Sequence, residues 1–258
     1  MKTLLALVPI LATVFFLVGC SNQKDDKNVD APAQAIVDQA IQAMGGSLLD
    51  HAEVTFRFRD REYIYHNEEG AFAHTRIHTD TAGVRTVDVY HNDGLDRTVD
   101  GKPVSLDSTW QSRYSNSINS VMYFAFLPYR LNDPSVIKTY RDVVTIKGKP
   151  YHEVLVQFQK EGGGKDHDDN FLYWFDTTSF AMDYLAYDYV TDGGGVRFRE
   201  AYNRRTIDGL TVQDYINFKP ANDSLTLYAM RTAYEQGQLT ELSRIELDDV
   251  KIRDLNAR

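Results

Sequence analysis

Two hydrophobic periods divide the chain. Between Asp30 and Gly46, Ile36, Val37, Ala40, Ile41 and Met44 recur three or four residues apart and form one apolar stripe. Asp30 before Ala31-Pro32 suits an N-cap with proline in the first turn, and Gly45-Gly46 suits a C-terminal stop. The spacing predicts a helix over 31–44. From residue 52 the period becomes two: Val54, Phe56 and Phe58 alternate with Thr55, Arg57 and Arg59. Similar runs follow at 61–67, 71–79, 84–91 and 95–100. Turn residues separate them, including Asn92-Asp93-Gly94 and Asp100-Gly101. Helical spacing returns at Trp110, Tyr114, Ile118, Val121, Met122 and Ala125, after a Ser108–Gln111 capping box and before Pro128. Strand patterns then resume over 141–147, 151–160, 170–176, 182–190, 196–205, 210–219, 225–235 and 239–252.

Short connections imply antiparallel neighbours. Strands and helices do not alternate, which argues against βα barrels and dinucleotide folds. Phe171-Leu172-Tyr173-Trp174-Phe175 is apolar on both faces, so that strand should be covered on both sides. The predicted fold is mainly β (α+β). It is a curled antiparallel sheet, or incomplete barrel, of about a dozen strands with two helices on its concave face. Residues 31–258 read as a single domain.

The first residues read as an address. A basic start at Lys2 precedes the apolar run Leu4–Val18, shorter than the ~20 residues of a membrane-spanning helix. The run closes on Leu17-Val18-Gly19-Cys20, which resembles the lipobox of bacterial lipoproteins. The resemblance implies that residues 1–19 are a signal peptide and that Cys20 is lipidated. The following Ser21–Asn28, with Gln23-Lys24-Asp25-Asp26, resembles the surface-export signal of Bacteroidota lipoproteins. Residues 20–30 are then an acidic tether. The expected place is the outer membrane, held through the lipid, with the domain at the cell surface or otherwise on the periplasmic face.

Composition narrows the picture further. The chain has 258 residues, 43% of them hydrophobic and 25% charged, which is ordinary globular usage. A mean hydropathy of −0.41 excludes a polytopic membrane protein. One cysteine excludes an internal disulfide framework. A net charge of −9 argues against nucleic acid as a partner. The expectation is a monomer with no cofactor.

Several segments carry a family resemblance: the Ala35–Gly46 helix, Val144–Tyr151, Tyr173-Trp174-Phe175-Asp176, Gly193–Glu200 and Ile207–Tyr215. With these the chain resembles a Bacteroidota lipoprotein family of unknown function, similar in fold to the LolA/LolB lipoprotein carriers. That resemblance implies an unclosed barrel whose helices plug an apolar cavity. It carries over no ligand-contact motif.

The candidate function is therefore the binding of an apolar or lipid-like ligand. The lining is predicted from the second helix, through Trp110, Tyr114, Ile118, Val121, Met122, Phe124 and Phe126. Facing it would be Phe171, Tyr173 and Phe175, with Tyr184, Tyr187 and Tyr189. Aromatic residues and methionine suit an adaptable apolar pocket, and equally a filled core. A structural surface protein with such a core is one alternative. A glycan-binding or glycan-processing lipoprotein is another, with Asp183, Asp188, Glu200 and Asp214 in the aromatic-rich half. Those carboxylates also suit pairing with Arg197, Arg199, Arg204 or Arg205. No Gly-x-Ser-x-Gly elbow, His-Glu-x-x-His or Walker loop is present, and no catalytic residue is assigned. His74 and His78 share a strand face with Arg76 between them, which disfavours a cation there. Asp166-His167-Asp168-Asp169 does not have EF-hand spacing. No metal site is assigned.

Overall fold

The computed structural model describes residues 30–160, 168–190, 193–221 and 225–257. The signal segment, Cys20, nearly all of the tether and Asp166-His167 lie outside the described residues.

Helix α1 (Ala31–Ala43) starts where the sequence places it, with Asp30 Oδ1 accepting from the Ala33 amide at 3.1 Å. The other oxygen of Asp30 accepts from the Tyr140 amide at 2.9 Å, so one carboxylate caps the helix and ties it to a strand. At the far end Gly45 takes φ 75°, and a Cβ there would lie 2.0 Å from the Gly209 carbonyl oxygen. Only glycine allows that approach.

Six strands follow: β1 (Ala52–Phe58), β2 (Arg61–Glu68), β3 (Ala71–Thr79), β4 (Arg85–His91), β5 (Gly94–Val99) and β6 (Lys102–Pro103). Helix α2 (Ser108–Ala125) comes next. Its N-cap is Asp107, one residue before the predicted Ser108, and Asp107 Oδ1 accepts from the Trp110 amide. The second half of the chain holds β7 (Val136–Ile146), β8 (Lys149–Phe158), β9 (Phe171–Asp176), β10 (Met182–Tyr189), β11 (Gly195–Ile207), β12 (Leu210–Pro220), α3 (Met230–Glu235), β13 (Leu239–Ile245) and β14 (Asp248–Asp254). Lys147-Gly148 and Asp208-Gly209, all at positive φ, make two-residue hairpins at β7–β8 and β11–β12.

The strands form two seven-stranded antiparallel sheets, ordered β14-β1-β2-β3-β4-β5-β6 and β13-β12-β11-β10-β9-β8-β7. They do not close into a barrel among the described residues. The chain passes from one sheet to the other between β13 and β14. There Asp214 Oδ1 accepts from the Leu247 amide at 2.9 Å and pairs with Arg205 Nη1 at 3.2 Å.

Three apolar clusters hold the layers together. The first joins α1 (Ala33, Ile36, Val37, Ala40) to Val154, Val156, Tyr173 and Phe175 on one face of the second sheet. In the next, Ile118 and Met122 of α2, with Phe126 at its C-cap, sit on Val54, Phe56 and Tyr65 of the first sheet. Tyr123 and Phe124, on the other side of α2, pack against the second sheet. Helix α2 therefore lies between the sheets. Complete burial of each large side chain in these clusters contributes about 1.5–3 kcal/mol.

The last cluster corrects one expectation. Residues 225–235 are not a strand but a short 3₁₀ turn (Leu227–Ala229) leading into α3. Leu227, Met230 and Ala233–Tyr234 recur every three or four residues and cover Leu172, Trp174, Tyr184 and Phe198. Helices α1 and α2 take the inner face of the second sheet, as expected, and the short α3 is a further helix that covers its opposite face.

Candidate ligand cavity

Period-two geometry sends Phe171, Tyr187, Arg199, Tyr215 and Ile245 to the same face of the second sheet. That face and α2 enclose a partly open cavity of about 380 Å³. Its apolar wall is made by Phe58, Val121, Phe124, Phe171, Tyr187 and Ile245. Its polar wall comes from β11, β12 and β13 and includes Arg197, Arg199, Gln213, Asn217 and Ser243. Asp169 and Tyr189 stand at the same cavity. The volume falls in the ~300–1,000 Å³ range of small-molecule sites.

The polar wall is ordered by strand register. Arg199 lies opposite Asn217, and Asn217 opposite Ser243, so the three form one row across β11, β12 and β13. Asn217 Nδ2 donates to Ser243 Oγ at 3.3 Å. The Arg199 side chain donates from Nη2 to the Tyr187 hydroxyl at 2.9 Å. Its guanidinium lies 4.1 Å from the centre of the Phe124 ring on α2 and 5.1 Å from that of Tyr187. Arg197 donates to the Val196 carbonyl and to the Tyr189 hydroxyl. Gln213 donates to the Tyr215 hydroxyl, and burial pushes that phenol up to about 12. The Tyr123 and Tyr173 hydroxyls meet at 3.3 Å and tie α2 to β9; burial pushes both phenols well up.

The residues predicted to line a cavity separate into several places. Val121, Phe124 and Phe171 line it, together with Tyr187 and Tyr189. Ile118, Met122 and Phe126 point into the first sheet. Tyr173 and Phe175 are covered by α1 in the core. Tyr184 lies on the opposite face of the sheet, against Tyr151, Phe198 and Tyr234. Its even position puts it out of phase with Tyr187 and Tyr189. Trp110 is 44% exposed and stacks on Tyr114, which lies 3.7 Å below the Arg97 guanidinium. The sequence reading missed Gln213, Asn217 and Ser243 as lining residues, and used Arg197 and Arg199 only as partners for carboxylates.

The other candidate groups have structural partners. Asp183 pairs with Arg204 at 2.7 Å, Glu200 with Lys147 at 3.1 Å and Asp214 with Arg205. Asp188 accepts from the Asn170 amide. His78 lies 3.5 Å from Asp60, and His74 is packed among Tyr65, Phe72 and Tyr90. Among the described residues no three His, Cys, Asp or Glu side chains gather as a metal set. Nor is any helix among them long and apolar enough to cross a membrane.

Comparison with known proteins places the chain in a family. The model of the family of unknown function DUF6503 matches residues 10–247, and the chain belongs to that family. Solved structures with a similar course include a DUF1329 family protein from Desulfovibrio piger. It is 12% identical over 88% of this chain and 95% of its own, with a TM-score of 0.48. A LolA superfamily protein from Nitrosomonas europaea is 13% identical over 86% of this chain and 94% of its own, with a TM-score of 0.47. No curated protein matches the sequence.

Proposed function

We propose that this protein is a lipid-anchored binding protein that holds an apolar or lipid-like molecule between its two sheets. The observation that carries the reading is the cavity of about 380 Å³ beside α2, with Phe58, Val121, Phe124, Phe171 and Ile245 on its wall. The partly open cavity leaves this wall facing water; an apolar guest displaces that water and removes its own surface from it, at about 25 cal/mol per Å² buried. Cys20 carries the anchor in this reading, through the lipobox-like Leu17–Cys20 segment.

Titration with the neutral apolar fluorophore N-phenylnaphthylamine tests the binding claim. The expected result is saturable enhancement at one site, and Val121→Trp, which fills the cavity from α2, lowers the affinity at least several-fold. Enhancement that never saturates, or that Val121→Trp leaves unchanged, contradicts the reading.

A further inference from the structure

We infer that the ligand is an anionic amphiphile, whose single acidic headgroup is received by Arg199 while its chain lies along the apolar wall. This rests on the cavity reading above and specifies its substrate class. Arg199 is 7% exposed, yet Nε and Nη1 have no hydrogen-bond partner. Among the described residues no carboxylate forms an ion pair with it. An arginine side chain cannot shed its proton, so the charge remains in place at any ordinary pH. A buried, unpaired charge is strongly destabilising unless something compensates it. The Phe124 and Tyr187 rings supply part of that compensation through their faces. They supply no acceptor for Nε–H or the Nη1 hydrogens.

A carboxylate or phosphate monoester supplies the missing acceptors. Nε and Nη1 point to different edges of the guanidinium, so one takes an oxygen of the acid and the other a second acceptor, such as a water beside it. Asn217, cross-strand from Arg199, has a buried Oδ1 without a donor, so the same row can also take a hydroxyl or a water beside the acid. Asp169 lines the cavity too, so a headgroup on Arg199 shares the cavity with one acidic side chain. Phe124 connects the two ends of the proposed ligand. One face of its ring lies against the guanidinium, and the residue belongs to the apolar wall supplied by α2.

Displacement of N-phenylnaphthylamine by laurate, dodecyl phosphate and dodecanol separates headgroup from chain. The expected result is that at least one of the two acids displaces the probe at roughly a tenth of the dodecanol concentration or lower, as charge-assisted hydrogen bonds allow. Which acid does so assigns carboxylate or phosphate. In Arg199→Met, which keeps an unbranched apolar stem, the ratio between acid and alcohol falls toward one. Inorganic phosphate without a chain displaces nothing at matched concentration. Equal potency of acids and alcohol in the native protein overturns the headgroup assignment and leaves the cavity reading standing. A ratio unchanged in Arg199→Met, or displacement by inorganic phosphate equal to that by dodecyl phosphate, overturns it as well. No displacement by any of the three chains overturns both readings. The native-protein panel decides the matter even where the variant folds poorly.

Discussion

His74 is 4% exposed, and burial, with the Arg130 charge adding to it, holds its imidazole down to about 3. In the unfolded chain the same ring protonates near its ordinary value of about 6.5. Between those two values the unfolded state binds the extra proton, so stability falls as pH falls. The expected slope is about 1.4 kcal/mol per pH unit below 6.5. Urea midpoints at pH 7 and pH 5 measure it, and His74→Phe removes this share of the difference. Asp176 acts lower on the scale. Burial works to raise its carboxyl, but the Ser179 and Thr178 amides, with Lys149, outweigh burial and hold it at about 2. Its contribution is present above about 4 and lost as pH falls toward about 2, and Asp176→Asn flattens that limb. A variant with the native acid profile contradicts either assignment. At this scale the sequence shows which face a strand residue takes, but not whether that face is covered. Arg197 and Arg199 alternate with Phe198, so the arginines share one face and Phe198 takes the other. The structure covers both faces, with α3 on Phe198 and α2 on Arg199.

Helix α2 binds the two sheets through different residues. Met122 is 1% exposed against the first sheet, and Met122→Ala is expected to cost about 2–5 kcal/mol. Trp110, at the exposed start of the helix, should change stability by no more than about 0.5 kcal/mol when replaced by alanine. Denaturant unfolding of both variants tests the pair, and comparable losses would contradict the placement of α2. The long helices were legible because their apolar stripes run over several turns and their ends carry Asp30, Gly45 and Pro128. Helix α3 was not, because six residues give barely two turns of pattern. An apolar run that short fits strand and helix about equally. Met230 is fully buried on the outer cluster, so Met230→Ala should also cost about 2–5 kcal/mol, whereas Tyr228, 56% exposed, should tolerate alanine.

At the scale of the molecule, the mainly β, unclosed architecture was legible from period-two runs and short turns. Its division into two sheets was not. The edge pairings β12–β13 and β1–β14 join segments far apart in the chain or separated by a helix, and no local pattern marks them. Asp214 pins that division, since it binds Arg205 and the Leu247 amide where the chain crosses between sheets. It is 2% exposed, so Asp214→Ala leaves the buried Leu247 amide without its acceptor and should cost about 1–3 kcal/mol in urea unfolding. The proposed anchor is the other whole-molecule feature. Cys20→Ser is expected to leave an unprocessed precursor that takes up no fatty-acid label, and a labelled mutant would refute lipidation at Cys20. The central claim is that a guest lies between the sheets, beside α2. Photo-crosslinking with a diazirine-bearing fatty alcohol, followed by peptide mapping, locates such a guest directly. The account predicts saturable adducts on Val121–Ala125 and on the strands around Phe171 and Tyr187, suppressed by excess dodecanol. Adducts that do not saturate, or that fall on α3 and the outer face of the second sheet, would contradict it.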